Sequence, residues 1–396
     1  MSKPKVFEKP TGLKDYLPEV VSRLRKIEAN VLGCMEQWGY NQIITPTLEF
    51  YDTVGAASST SDRKLFKLLD QQGRTLVLRS ELTAPIARVA SSLLKEKPFP
   101  LRLSYHSNVF RAFEQEAGRE SEFFQTGVEL VGDGSSEADA EVIALAIASL
   151  QAAGISSFKI ALGHVGYLNG LLNHALGDRE EEQQILKECL LRRDHVGYRQ
   201  QLRRLQLNEE TRAGLESILR LRGGEEICEQ ARAVTNDPVA QQSVEHLCLI
   251  WDVLKDYGVS HHVLIDLTMI GDFSYYTGMT FEGYSADLAF PVCSGGRYDN
   301  LLAQFGRSAP ATGFALKTDR ILDVVAKQPY QEPYRILIGY RPGNRKEALQ
   351  RAAELRALKQ CSVETKAFES DKHVHPNEDG SCSYLGVHYN EWIYYG

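Results

Sequence analysis

Phe123-Phe124-Gln125-Thr126-Gly127-Val128-Glu129 is the stretch from which the rest of the chain can be ordered. Its alternation predicts a strand whose one face carries Gln125, Gly127 and Glu129. A glycine between two polar residues leaves room for something to lie close above the backbone. A Gln/Glu pair suits a small hydrogen-bonding ring, although a solvent-exposed sheet face fits the same alternation.

Working outward, Thr75–Arg79 and Leu101–Tyr105 also read as short strands, and Ser136–Ala153 as a helix rich in Ala and Leu. Glu81 and Thr83 repeat the period-two pattern, and a carboxylate such as Glu81 suits an ammonium group. Upstream, Leu24, Ile27, Val31, Met35 and Trp38 recur at three- and four-residue spacing, which predicts one helix with a single apolar face. Gly39 supplies its stop. The β-branched run Gln42–Leu48 follows, with Pro46 confining it to an edge or an interface. Dimerisation and plain core packing both fit that helix and strand.

Downstream, residues 168–257 are rich in Leu, Glu, Arg and Gln and predict a helical insertion. The basic run Arg192, Arg193, Arg199, Arg203 and Arg204 reads as a solvated helix face. Strand character returns at Val263–Leu267 and continues to Val292. Within it, Tyr275-Tyr276-Thr277-Gly278 and Phe281-Glu282 suggest a half-buried strand. Ser294-Gly295-Gly296-Arg297-Tyr298-Asp299 reads as a glycine turn, and a helix is expected from near Gly313. Residues 328–333 form an expected linker to a small C-terminal α/β unit that opens with strand Arg335–Tyr340. The expected architecture is α+β: an antiparallel sheet flanked by helices, in a domain spanning 1–326, followed by a smaller domain at 334–396.

The formal charge of -7 across 396 residues gives no global attraction to a polyanion such as tRNA. Seven scattered cysteines with no C-x-x-C indicate neither a zinc ribbon nor a disulfide framework. The first residues are charged rather than apolar, and no run approaches the ~20 apolar residues of a membrane span. A cytoplasmic protein without metal or cofactor is expected.

Together and in order, these motifs resemble the catalytic domain of histidyl-tRNA synthetase, a class II aminoacyl-tRNA synthetase, from about Val6 to Ala326. Pro10–Pro18 is similar to the family's N-terminal signature. The helix ending at Trp38-Gly39-Tyr40, with the Pro46 strand, resembles motif 1, the dimer interface. Leu78–Thr83 resembles the histidine-binding loop. Phe110-Arg111, through Gly118-Arg119, to Glu129 resembles motif 2. Tyr275–Gly278 and Gly295–Asp299 resemble the two histidine-specific signatures, and Gly313-Phe314 with Arg320 resembles motif 3. The resemblance implies histidine contacts from Glu81, Thr83, Gln125, Glu129 and Tyr276, with Tyr298 close by. It implies carboxylate or phosphate contacts from Arg111 and Arg320.

The departures concentrate in the chemistry. Gly271 stands where the family has the Arg that helps activate the histidine carboxylate, and losing one such contact costs ~3–4 kcal/mol of transition-state stabilisation. Ser274 replaces an Asp. In motif 2, Phe113 occupies the adenine-binding Glu position, and Glu114 is slipped to the other face. Ala315 and Lys317 replace glycines of motif 3. The C-terminal segment matches only the first strand and helix of an anticodon-binding domain, and Ser370–Gly396 matches nothing.

Kept amino-acid contacts beside eroded catalytic and tRNA-binding parts resemble the family of ATP phosphoribosyltransferase regulatory subunits. That resemblance implies a pseudoenzyme that activates a short-form ATP phosphoribosyltransferase catalytic subunit, with L-histidine as feedback effector of histidine biosynthesis. It also implies a homodimer, through the motif-1-like segment, inside a hetero-oligomer. A divergent active histidyl-tRNA synthetase, and a histidine or tRNA sensor of another pathway, are the alternatives.

Overall fold

The computed structural model describes residues 7–112, 120–269, 276–325, 334–358, 361–369 and 374–396. Phe113, Glu114, Gly118, Arg119, Gly271, Ser274, Tyr275 and the expected linker lie outside them. The chain divides into two compact units, Met1–Lys327 and Gln328–Gly396.

The first unit is organised by one mixed sheet. Its strands in chain order are β1 (Asn41–Gln42), β2 (Leu101–Phe110), β3 (Glu122–Val131), β4 (Phe158–His164), β5 (Arg222–Gly223), β6 (Val263–Asp266), β7 (Met279–Ser285), β8 (Cys293–Arg297) and β9 (Ala311–Lys317). In space they run β1-β2-β3-β9-β8-β7-β4-β6-β5. Every pairing from β2 to β4 through this order is antiparallel. The helices begin with α1 (Pro18–Gln37), α2 (Thr83–Ser91) and α3 (Ser136–Ala152).

Two faces of the sheet have opposite character. Val128, Leu130, Phe281, Phe314 and Leu316 join one apolar cluster with α1 and α3. The predicted face of α1 is the buried one, through Leu24, Ile27, Val31 and Met35. Gly39 ends that region at φ 82°, a left-handed conformation that favours glycine. Ser135 caps α3 by accepting from the Ala138 amide at 3.2 Å. The α3 helix is apolar nearly all round because it is enclosed on all sides.

Residues 165–256 form the helical insertion: α4 (Val165–Leu176), α5 (Glu180–Leu191), α6 (His195–Arg204), α7 (Glu209–Ser217), α8 (Glu226–Val234) and α9 (Pro238–Asp256). Asp194, Asn208 and Asp237 cap three of these helices. The five basic-run arginines are exposed. The final helix of this unit, α10 (Thr318–Val325), follows β9 directly. Among the described residues, no helix is long and apolar enough to cross a membrane.

Four local expectations are corrected. Gln42–Leu48 is not one strand: β1 stops at Gln42, and a separate strand, Leu48–Phe50, joins a small sheet with Lys67–Leu69 and Thr75–Leu78. Pro46, which has no N–H to donate, sits in the break. Glu81 and Thr83 are not strand neighbours, because Thr83 opens α2. Gly295-Gly296 lies inside β8 rather than in a turn, and Gly313 is mid-strand, with the helix beginning only at Thr318. In each glycine case the close approach of a neighbour, not a change of chain direction, is the reason for the residue.

The second unit has a parallel three-stranded sheet, Ser362–Ala367, Arg335–Tyr340 and Glu391–Tyr395, with helix Arg345–Ala357. The tail that matched no known pattern supplies its third strand and a hairpin, Cys382–Tyr384 with Val387–Tyr389.

Candidate functional site

The face of the sheet away from α1 and α3 forms the floor of a pocket. Register fixes its composition. Glu129 lies opposite Gly313, Gly127 opposite Ala315, and Gln125 opposite Lys317. The next strand places Ser294 opposite Ala315 and Gly296 opposite Gly313. Beyond it, Glu282 meets Ser294 and Thr280 meets Gly296. Directly opposed residues of an antiparallel pair share a face, so all of these point the same way.

Glycines create the space. A Cβ on Gly313 would overlap Glu129 Oε2 and the Val128 carbonyl, so the Glu129 side chain leans across Gly313. A Cβ on Gly127 would come within 2.6 Å of the Tyr105 hydroxyl. One on Gly296 would come within 2.8 Å of the Tyr276 ring. These glycines leave a concave pocket that is open to solvent on one side.

Six residues singled out from sequence line this one pocket: Glu81, Thr83, Gln125, Glu129, Tyr276 and Tyr298. Arg111 lines it too. Arg320 does not: its Nη1 donates to the Pro291 carbonyl at 2.7 Å, and its guanidinium sits over the Phe290 ring at 5.2 Å. Tyr105, Thr280, Glu282, Ser294 and Lys317 are polar lining residues that had been assigned no contact from sequence. The alternation of Leu101–Tyr105 and the motif-3 departure carried that signal.

Glu129 is buried at the acidic end. Thr83 Oγ1 donates to its Oε1 at 2.9 Å, and the Tyr298 hydroxyl donates to Oε2. Burial pushes its pKa up to about 8, against the two hydrogen bonds that pull it down. Glu81, also buried, accepts from the Thr83 amide at 2.5 Å and from the Ala84 amide at 3.1 Å. Its pKa is raised by burial and held back by those amides and by the nearby Arg111 guanidinium. The loop carrying Glu81 is fixed by Arg79, which donates to the Asn108 and Thr45 carbonyls at 2.8 and 2.7 Å.

Two cations, Arg111 and Lys317, also line the pocket. Arg111 Nε donates to the Ser80 carbonyl at 2.9 Å. Lys317 is pulled down to about 8 by burial and by the Arg320 and Arg111 guanidiniums, while Glu282 opposes the shift. The pocket offers both carboxylate acceptors and cations, so it can hold a small dipolar molecule. Among the described residues, no three His, Cys, Asp or Glu side chains converge as metal ligands.

Behind the pocket, Arg297 anchors the loop that delivers Tyr298. Its guanidinium is bidentate to Asp139, at 2.9 Å to each oxygen, and also donates to the Asp133 and Ser135 carbonyls. At the other end of β3, the Ser121 amide donates to the Gly12 carbonyl at 2.7 Å.

A family model of histidyl-tRNA synthetase matches residues 12–321. The ATP phosphoribosyltransferase regulatory subunit of Bacillus licheniformis is 47% identical over 351 residues, 89% of each chain. That of Bacillus subtilis is 46% identical over 320 residues, 81% of this chain and 82% of the relative. A crystal structure from Bacillus halodurans, described as an ATP phosphoribosyltransferase regulatory subunit/histidyl-tRNA synthetase, superposes with a TM-score of 0.89 at 41% identity and 99% coverage of both chains. Histidyl-tRNA synthetase from a Nostoc species shares the fold, with a TM-score of 0.79 at 20% identity over 92% of this chain and 86% of that one.

Proposed function

Because this chain belongs to the family of ATP phosphoribosyltransferase regulatory subunits, built on the histidyl-tRNA synthetase fold, we propose that it is the non-catalytic partner of a separate short-form ATP phosphoribosyltransferase. In this reading the partner condenses ATP with phosphoribosyl pyrophosphate. The present chain activates it and carries the response to histidine. L-Histidine occupies the pocket, its amino group and ring met by Glu81, Thr83, Gln125, Glu129 and Tyr276, with Tyr298 holding Glu129 in place.

One observation carries the reading. The acidic end of the pocket is assembled and hydrogen-bonded, whereas Ala315 and Lys317 occupy the floor where the synthetase resemblance implies a nucleotide. An amino acid still fits, and the surface that would underlie ATP carries a methyl group and a cationic side chain. Feedback then requires histidine to favour one arrangement of the complex by differential affinity, typically ~1–3 kcal/mol.

A homodimer through the motif-1-like segment is part of the proposal. Ile44 is 80% exposed, and Leu48 and Phe50 beside it are exposed as well. Three apolar side chains on one short segment are what a symmetric contact would cover.

Co-expression with a short-form catalytic subunit tests the reading. Condensation of ATP with phosphoribosyl pyrophosphate is expected only when both chains are present, and it is expected to fall as histidine is added. Full activity of the partner alone, or failure of the two chains to co-purify, contradicts it.

A further inference from the structure

The resemblance leaves the carboxylate of the amino acid without a partner, because Gly271 stands where the synthetases have arginine. Three cations lie in the neighbourhood, and the structure separates them. Arg320 is off the pocket wall, engaged with the Pro291 carbonyl and the Phe290 ring. Arg111 is beside Glu81, whose ionised form it favours, and is stacked at 5.4 Å on Phe123. Lys317 is on the floor itself, facing the same way as Glu129 and Gln125. Among the described residues, its ammonium has no ion-pair partner within 4.0 Å.

We infer that Lys317 is the carboxylate receptor of this pocket, a specificity-determining residue that replaces the missing arginine from a different strand. The inference rests on the reading that the pocket takes a free amino acid, and adds which residue selects for the carboxylate.

Geometry supports it. Gly313, opposite Glu129, and Lys317 lie four residues apart on β9, so their Cα atoms are separated by about 13 Å. The Glu129 and Lys317 side chains rise from the same face of the sheet, so the gap between them lies across the floor of the pocket. A zwitterion with its ammonium toward the Glu129 row and its carboxylate toward Lys317 gives each buried group its counter-charge. Burial without such a partner disfavours the charged form of both groups, in agreement with the upward shift of Glu129 and the downward shift of Lys317. The same lysine then has two consequences: it grips the amino acid and fills the floor that a nucleotide would need.

Histamine is histidine without its carboxylate, so the two ligands isolate this contact. Calorimetric titration of the full chain is expected to show histidine binding at least about tenfold more tightly than histamine, or about 1.4 kcal/mol. In Lys317→Met the preference is expected to vanish, with histidine falling to the affinity of histamine and histamine unchanged. Retained histamine binding shows that the variant pocket is intact. An undiminished preference in Lys317→Met, or its disappearance in Arg111→Met alone, overturns the role of Lys317 while leaving the histidine site standing. Loss of both ligands in a folded Lys317→Met chain overturns a selective role. If the unaltered chain binds neither ligand, the amino-acid reading itself falls, and the lysine assignment with it.

Discussion

Replacing Arg297 by Met is expected to lower folding stability by about 3–5 kcal/mol, the scale seen when one partner of a buried ion pair is removed. Asp139 is fully buried, and both of its oxygens accept from Arg297 at 2.9 Å. The variant leaves that carboxylate with His246, whose Nε2 is 3.2 Å from Oδ2, and with His164 within electrostatic reach. It also frees the Asp133 and Ser135 carbonyls from the guanidinium. Urea denaturation of the single variant checks the cost. The double variant Arg297→Met/Asp139→Asn is expected to recover part of it, because the orphaned charge is gone. A loss below 1 kcal/mol, or a double variant worse than the sum of its parts, would show that the pair does not hold this region together.

The second large effect is a pH dependence assigned to Glu129. Its folded pKa is about 8, above the ordinary carboxylate value of 4.5. Between those values the folded chain keeps a proton that the unfolded chain has lost. Its contribution to stability is therefore fully present below about pH 4.5 and is lost as the pH rises to about 8, at up to about 1.4 kcal/mol per pH unit. Glu129→Gln cannot titrate. Without added ligand, the variant and the unaltered chain are expected to match within about 1 kcal/mol at pH 5. By pH 8 the variant is expected to gain about 3 kcal/mol relative to the unaltered chain. Parallel stability curves from pH 5 to 8 would sink the assignment. The physical meaning is that burial keeps this carboxyl group neutral below about pH 8.

Much of this site was legible because it is written in period two. Gln125, Gly127 and Glu129 share a face in the sequence and in the sheet, and helix α1 buries the residues its spacing marks. What stayed hidden depends on contacts distant in sequence. Gly295 and Gly313 read as a turn and a helix start, yet a side chain at either would strike a neighbouring strand. Thr83 seemed a strand residue, but α2 begins there and turns its backbone amide toward Glu81. Nothing local marks Arg297 as the anchor of Tyr298, since its partner Asp139 belongs to a different element. Lys317 was visible as a departure from motif 3. Only the register of β9 against β3 shows which way it faces.

A pocket that holds histidine without activating it should reveal itself in one paired measurement on the purified chain, histidine binding by calorimetry beside histidine-dependent exchange of labelled pyrophosphate into ATP. Saturable binding with no exchange above background is the result expected here. Exchange at a rate useful for charging tRNA would mean that the basic floor of the pocket still accommodates ATP, and the regulatory account would be wrong.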